Sequence, residues 1–206
     1  MSDVWYTSDI HVGHRLVAGI RGFNAVLDDE GKPSPDDVAE HDRVLGANWD
    51  AVVKPGDQVY VLGDISINGG QHALDWIAAR PGTKHLIAGN HDPVHPMDRR
   101  ATKKTPHWLG YFETVQPFMR RKLGGQDLLL SHFPYASWGD GEGREGSRYD
   151  QYRLPDLGAK LLHGHTHGTE RGHGTMLHVG VDAWGLSPVP QQAVIDWMTT
   201  TNEATE

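Results

Sequence analysis

Short apolar runs recur along this chain, and again and again they end on a polar side chain able to bind a metal. Residues 4–8, 59–62, 85–88, 127–130 and 159–162 each read as a strand. They lead into Asp9-Ile10-His11, Gly63-Asp64, Gly89-Asn90-His91-Asp92, Ser131-His132 and His163-Gly164-His165-Thr166-His167. Between them, Ser34-Pro35-Asp36-Asp37 supplies an N-cap, a proline at the first helical position and two acids at the positive end of the helix dipole. This predicts a helix to about Trp49, with Val38, Val44, Leu45 and Trp49 facing inward. Ala73, Leu74, Ile77 and Ala78 repeat with helical spacing up to the Arg80-Pro81-Gly82 stop. Gly124-Gly125 marks a hairpin between 118–123 and 127–130. Residues 176–181 predict one more strand, and 190–198 a last helix burying Ala193, Val194 and Trp197, with 199–206 as a frayed tail. Residues 139–150 are Gly, Asp, Glu and Arg with little apolar content, which predicts a mobile surface loop near the strand ends.

Strands alternating with helices predict an α/β protein whose polar strings gather along one sheet edge, where open α/β folds bind ligands. At 206 residues the chain suits one core, so a single domain over residues 1–198 is expected. With 19 basic against 27 acidic residues the net charge is -8, and no block of Lys or Arg could track a phosphate backbone; stable binding of long nucleic acid is not expected. There is no cysteine, so any metal must be held by oxygen and imidazole, which leaves Mn, Fe, Zn, Ni, Co or Mg. Without a signal-like N-terminus or a membrane-length apolar run, a soluble cytoplasmic protein with no membrane partner is expected.

Each polar string has an ordinary reading when taken singly. Gly63-Asp64 and Gly89-Asn90 are common turn dipeptides, a lone His132 suits a structural role, and the stretch from His163 to His173 suits a histidine-rich surface loop. Five loops each placing a carboxylate, amide or imidazole directly after a strand is a different matter. Asp9, His11, Asp64, Asn90, His132, His163 and His165 are enough for two metal ions.

Taken together, Asp9-Ile10-His11, Gly63-Asp64, Gly89-Asn90-His91-Asp92, Ser131-His132 and Gly164-His165 with His163 resemble the complete motif set of the calcineurin-like metallophosphoesterase superfamily, including its small bacterial and phage-encoded phosphodiesterases. The resemblance implies a four-layer α/β sandwich, two central mixed β-sheets flanked by helices, with a dimetal site at the strand ends. By motif position it implies that Asp9, His11 and His165 hold one divalent ion and Asn90, His132 and His163 the other, Asp64 bridging, with Mn²⁺ ahead of Fe, Zn, Ni or Co. It further implies in-line attack on phosphorus by a metal-bridging hydroxide, with His91 protonating the leaving oxygen and Asp92 orienting His91; a capping carboxylate before Pro93 is the plain alternative for Asp92. His14 is expected to contact a substrate phosphate or simply to start a helix, and His167 to line the pocket or face water. Tyr135, Trp138 and Trp184 are candidate base-stacking or core aromatics, and Asp182 is a supporting residue. Protein phosphatases of this superfamily carry an acid and an arginine where this chain has Ile67 and Asn68, and Asp92 stands in place of their Glu, so phosphoproteins fit poorly. The expected substrate is a small phosphodiester, 2′,3′-cyclic nucleotides included; a phosphomonoesterase and a non-catalytic scaffold, as in the retromer subunit of this fold, are the alternatives. Oligomeric state has no signal in the sequence.

Overall fold

Alternate residues of the central strands face two different cores, and that alternation decides what surrounds the polar loops. The computed structural model describes residues 2–140 and 148–203. In chain order it runs β1 (Val4–Thr7), α1 (Arg15–Ile20), α2 (Pro35–Val52), β2 (Gln58–Val61), α3 (Gln71–Ala78), β3 (Thr83–Ile87), α4 (Ala101–Trp108), β4 (Thr114–Gln116), β5 (Phe118–Leu123) and β6 (Gln126–Ser131). Then follow β7 (Lys160–His163), β8 (Gly172–His173), β9 (Met176–His178), β10 (Val189–Pro190) and α5 (Gln191–Glu203). The strands form two mixed five-stranded sheets, ordered β10-β1-β2-β3-β4 and β5-β6-β7-β9-β8. β1 to β4 are parallel, as are β6, β7 and β9. With their flanking helices they make the expected α/β architecture.

Leu62, Ile87, Leu130, Leu162 and Leu177 fill the space between the sheets, joined by Val194 and Met198 of α5. The other face of the first sheet, through Val59, Val61 and Leu86, packs on Leu45 and Trp49 of α2 and Leu74 and Ile77 of α3. On the other face of the second sheet, Leu161 and Met176 lie with Tyr135, Trp138 and Leu154. Because β1, β2, β3, β6 and β7 run parallel, their C-terminal ends share one edge, and there the five polar loops meet.

Local chemistry explains most element starts. Ser34 Oγ accepts from the Asp37 amide (3.2 Å) while the Asp37 carboxylate accepts from the Ser34 amide (3.3 Å), closing a capping box at α2. Gly124 and Gly125 adopt φ of 58° and 81° in the tight β5–β6 turn, a backbone that favours glycine. Two expectations differ, and a third lies largely beyond what the structure describes. The strand over 176–181 stops at His178, because Val181–Ala183 turn into a 3₁₀ segment that places Gly180 beside Ser8. The last helix continues to Glu203, with Thr199 and Thr200 hydroxyls donating to the carbonyls of Ile195 and Asp196. Residues 141–147 of the loop expected at 139–150 lie outside the described residues.

Replacing the cap by Ser34→Ala should lower stability by about 1 kcal/mol. Urea unfolding should show an earlier midpoint with an unchanged slope; an unchanged midpoint would mean that the capping box adds nothing to the folded state.

Candidate metal centre

Five of the non-glycine residues with left-handed backbone lie at this edge: Asp9 (φ 58°), His11 (φ 54°), Asp64 (φ 56°), His165 (φ 73°) and His167 (φ 54°). Asp and His tolerate this region better than most residues, yet such a concentration is typical of functional loops. The loops lock to one another through the main chain, with Asp9 donating to Gly63 O (3.0 Å), His11 to Asp64 O (3.0 Å) and Val12 to Ile65 O (2.8 Å). Gly164 is obligatory here: a Cβ would stand 2.0 Å from Ser8 Oγ and 2.4 Å from Asp9 Oδ2. That close approach lets the next amide, His165 N–H, donate to both carboxylate oxygens of Asp9 (3.1 and 2.9 Å).

The side chains form two groups able to hold an ion, Asp9–His11–His167 and Asp64–His132–His165. In the first, His11 Nε2 faces His167 Nε2 at 3.2 Å, and His167 Nε2 lies 3.8 Å from Asp9 Oδ1. In the second, His132 Nε2 stands 3.3 Å from His165 Nδ1, 3.4 Å from Asp64 Oδ2 and 3.0 Å from Asn90 Oδ1, which brings Asn90 into the set. Asp64 Oδ2 is also 3.7 Å from His11 Nε2, so this carboxylate lies between the groups.

His163 and His165 therefore stand elsewhere than motif position implied. His165 joins Asp64 and His132 rather than Asp9 and His11, and His167 takes the place beside Asp9. His163 joins neither. It pairs in register with His178 and lies on the same face of β7 as Leu161, turned from the inter-sheet side; its ring stacks on His178 (5.3 Å) and meets Trp138 (5.8 Å), while Nδ1–H donates to Gly164 O (2.9 Å). Beyond Gly164, the left-handed residues His165 and His167 turn the chain back over the strand ends.

Asp92 also behaves differently from the orienting role. Its carboxylate accepts from the amides of Gly89 (2.8 Å), Asp64 (2.9 Å) and Ile65 (3.2 Å), so it clamps the Asp64 loop to the Asn90 loop. Burial and the neighbouring Asp64 push its pKa up to about 7. His91 donates its amide to Asp64 Oδ1 (2.9 Å), and its partly exposed ring reaches within 4.0 Å of Asp64 Oδ2. The His14 ring caps α1, Nδ1 accepting from the Val17 amide (3.1 Å). Tyr135 is fully buried with its hydroxyl on Ala159 O, Trp138 stacks on His173, and Trp184 donates to His178 O. None of the three lines the cavity above the site.

Two further carboxylates complete the arrangement: Asp182, expected as a supporting residue, and Asp140, which the sequence did not single out. His167 Nδ1 meets Asp182 Oδ2 (3.0 Å), and Asp182 is gripped by both Nε and Nη2 of Arg21 (2.8 Å each). His165 Nε2 meets Asp140 Oδ1 (3.1 Å), and Asp140 is bound by Arg148 (2.7 Å) and by buried Arg153. Such carboxylate–histidine pairs fix the ring and the nitrogen left free for a metal. His132 has the same kind of support, its Nδ1–H donating to Leu62 O (2.7 Å). Arg21, Asp140 and Arg153 carry no motif, and only their position in space assigns them.

The donor set fits divalent ions. Asp9 and Asp64 are 0% and 2% exposed, and among the described residues no Lys or Arg pairs with either carboxylate. Their surroundings are imidazoles. Burial pushes His11 and His165 down to about 3, which leaves neutral rings with lone pairs to offer. At His132 burial acts in the same direction but the Asp64 charge outweighs it, raising the group to about 9. His11 Nδ1 is buried without a partner. Nitrogen and oxygen donors without thiolate suit Mn, Fe, Co, Ni or Zn.

A cavity of about 370 Å³ opens over the site, bordered by His11, Asn90, His91 and His167 on its polar side. A larger groove of about 610 Å³ between α2 and α3 passes Asp42, His72 and Arg80 and contains no metal-ligating group. Among the described residues no helix is long and apolar enough to cross a membrane.

Comparison with known proteins agrees with this geometry. The model of the calcineurin-like phosphoesterase family matches residues 3–169, and the chain belongs to that family. It is 43% identical over 199 residues to the Gene 66 protein of Mycobacterium phage L5, covering 90% of this chain and 89% of that protein. The Gene 66 protein of Mycobacterium phage D29 is 41% identical over 196 residues, covering 89% and 90%. In fold, the chain is similar to a crystal structure of a protein of unknown function from Aquifex aeolicus, at 22% identity and a TM-score of 0.65 over 96% of this chain and 100% of that one. The family is one of metal-dependent phosphoesterases with a dimetal centre, and the Asp/His groups described above could hold such ions.

Asp182→Asn keeps the shape and removes the charge that orients His167. One of two Mn²⁺ equivalents should bind about 10- to 100-fold more weakly in calorimetric titration, the other within a few-fold of the parent. Equal weakening of both, or of neither, would show that Asp182 does not act through His167.

Proposed function

We propose that this calcineurin-like phosphoesterase hydrolyses small phosphodiesters, with 2′,3′-cyclic nucleotides the favoured class and Mn²⁺ the first choice of metal. The observation that carries the reading is the pair of donor groups sharing Asp64 at the floor of one small cavity that also presents His91. In this reading Asp9, His11 and His167 would hold one ion and Asn90, His132 and His165 the other, with Asp64 between them. Divalent ions held there would supply Lewis-acid stabilisation of phosphoryl oxygens and an ionised water near neutral pH.

The chain's own residues do the remaining work. The Asp9, Asp64 and Asn90 loops, tied by main-chain bonds and the Asp92 clamp, hold the donors in place before substrate arrives. His91, offered by the same turn as Asn90 but bordering the cavity, gives its proton to the leaving oxygen. His14, fixed by its capping bond, and the edge of His167 face the same space and border the phosphate. The size of the cavity supports a small ester. The net acidic surface disfavours long polyanions.

His91→Ala should reduce turnover about 100- to 10,000-fold for esters with a poor leaving group, and less for nitrophenyl esters, which need little protonation. Metal content should be unchanged. Equal losses for both leaving groups would remove the acid role, and loss of metal would make His91 a ligand. The substrate class is tested by kcat/KM with Mn²⁺ on a 2′,3′-cyclic nucleotide, a nucleoside monophosphate and a phosphopeptide. The cyclic diester should lead; a monoester or phosphopeptide clearly ahead would overturn the diester preference, and no metal-dependent turnover of any ester would leave a scaffold.

A further inference from the structure

Helix α1 is six residues long and is fixed at both ends by residues of the site. At its start the His14 ring, which borders the cavity, caps the Val17 amide. Just past its end Arg21, with a side chain only 3% exposed, donates to the carbonyls of Asp9 (2.6 Å) and Ile10 (3.0 Å) and grips Asp182. Between these anchors Val17 and Ala18 are buried, whereas Leu16 and Ile20 are 66% and 74% exposed. These two residues are one helical turn apart and both border the cavity, with Ile67, 40% exposed, on the loop that follows Asp64. Large aliphatic side chains left in water beside a rigid, otherwise polar site mark a place where a ligand covers them.

We propose that Leu16, Ile20 and Ile67 form a subsite for the ester group of the substrate, and that the group it selects is aromatic and of single-ring to nucleobase size. This rests on the phosphoesterase reading, because it places the phosphorus at the Asp/His floor and the ester group along α1. Residues four apart on a helix hold their Cβ atoms about 5–6 Å apart, a spacing that spans one flat ring. The cavity, about 370 Å³, is near the lower end of the roughly 300–1,000 Å³ usual for small-molecule sites, with room for a phosphoryl group and one ring system. The fixed ends of α1 mean that the wall is present before the ligand arrives, so little ordering cost opposes binding.

The test compares phenylphosphonate with methylphosphonate, which share the anion and differ in the ring, binding to Mn²⁺-loaded protein in calorimetry. The parent protein should bind the phenyl compound about tenfold more tightly. Leu16→Ser with Ile20→Ser should reduce that ratio to within about twofold of unity, while Val26→Ser, an equally exposed aliphatic position away from the cavity, should keep the parent ratio. A parent ratio near one, an unchanged ratio in the double variant, or no binding of either phosphonate overturns the subsite. Turnover of bis-p-nitrophenyl phosphate separates this result from the functional reading: selective phenyl binding without turnover of any ester keeps the subsite and removes the phosphoesterase, and turnover without ring preference does the reverse.

Discussion

Two carboxylates taken out of water, with no guanidinium or ammonium paired to either among the described residues, are the constraint on which the rest of this structure depends. Desolvating a carboxylate costs several kcal/mol unless a compensating charge is close. Asp9 and Asp64 meet only imidazoles and main-chain amides. Those partners hold both groups below the usual carboxylate range although burial acts the other way, His167 and His132 being the main influence on Asp9 and His132 on Asp64. A protein that only needed stability would gain nothing from this arrangement, since an apolar strand end would cost less. A site that must attract divalent cations needs ionised buried oxygen, and the surrounding imidazoles hold the carboxylates in that condition.

The basic side chains near the site show how the arrangement is maintained. Arg21 and Arg153 are buried within it, yet each spends its charge one layer out: Arg21 on Asp182 and the Asp9 and Ile10 carbonyls, Arg153 on Asp140 and the Pro134 and Gly139 carbonyls. Each thereby fixes an Asp, each Asp fixes a histidine ring, and the inner carboxylates remain free for a cation. The two supports come from different loops, so each donor group has a carboxylate–arginine pair of its own.

Much of this was legible in the sequence, and the part that was not has definite physical reasons. The strands that carry the polar strings, the Ser34 N-cap of α2 and the glycine hairpin follow from local spacing, and the five loop strings do end at one edge. The strand β7 is buried on both faces, so Lys160–His163 shows no polar–apolar alternation from which to read which way His163 points. The choice among His163, His165 and His167 depended on that alternation and on the left-handed turns after Gly164, which leave no local signature in a segment rich in histidine. Arg21, Asp140 and Arg153 were invisible for a simpler reason: their partners are far away along the chain or belong to loops without periodicity. Tyr135, Trp138 and Trp184 suggested base stacking by residue type alone, but the apolar side chains that border the cavity are Tyr149, Ile67 and those of α1, a helix too short to announce itself by periodicity.

Global charge and local charge point in opposite directions here, and the local one governs binding. A chain of net charge -8 should repel a phosphate ester at long range, but beyond about 8–10 Å such repulsion is screened at physiological ionic strength. With two divalent cations bound, the local sum would set four positive charges against the carboxylates of Asp9 and Asp64, a positive surplus in a poorly hydrated floor where each charge acts more strongly than in water. The long-range charge of the chain therefore does not decide what the site can hold; that falls to the groups at its border, the imidazoles and Asp64 on the floor with Arg148, Tyr149 and the aliphatic side of α1 around them.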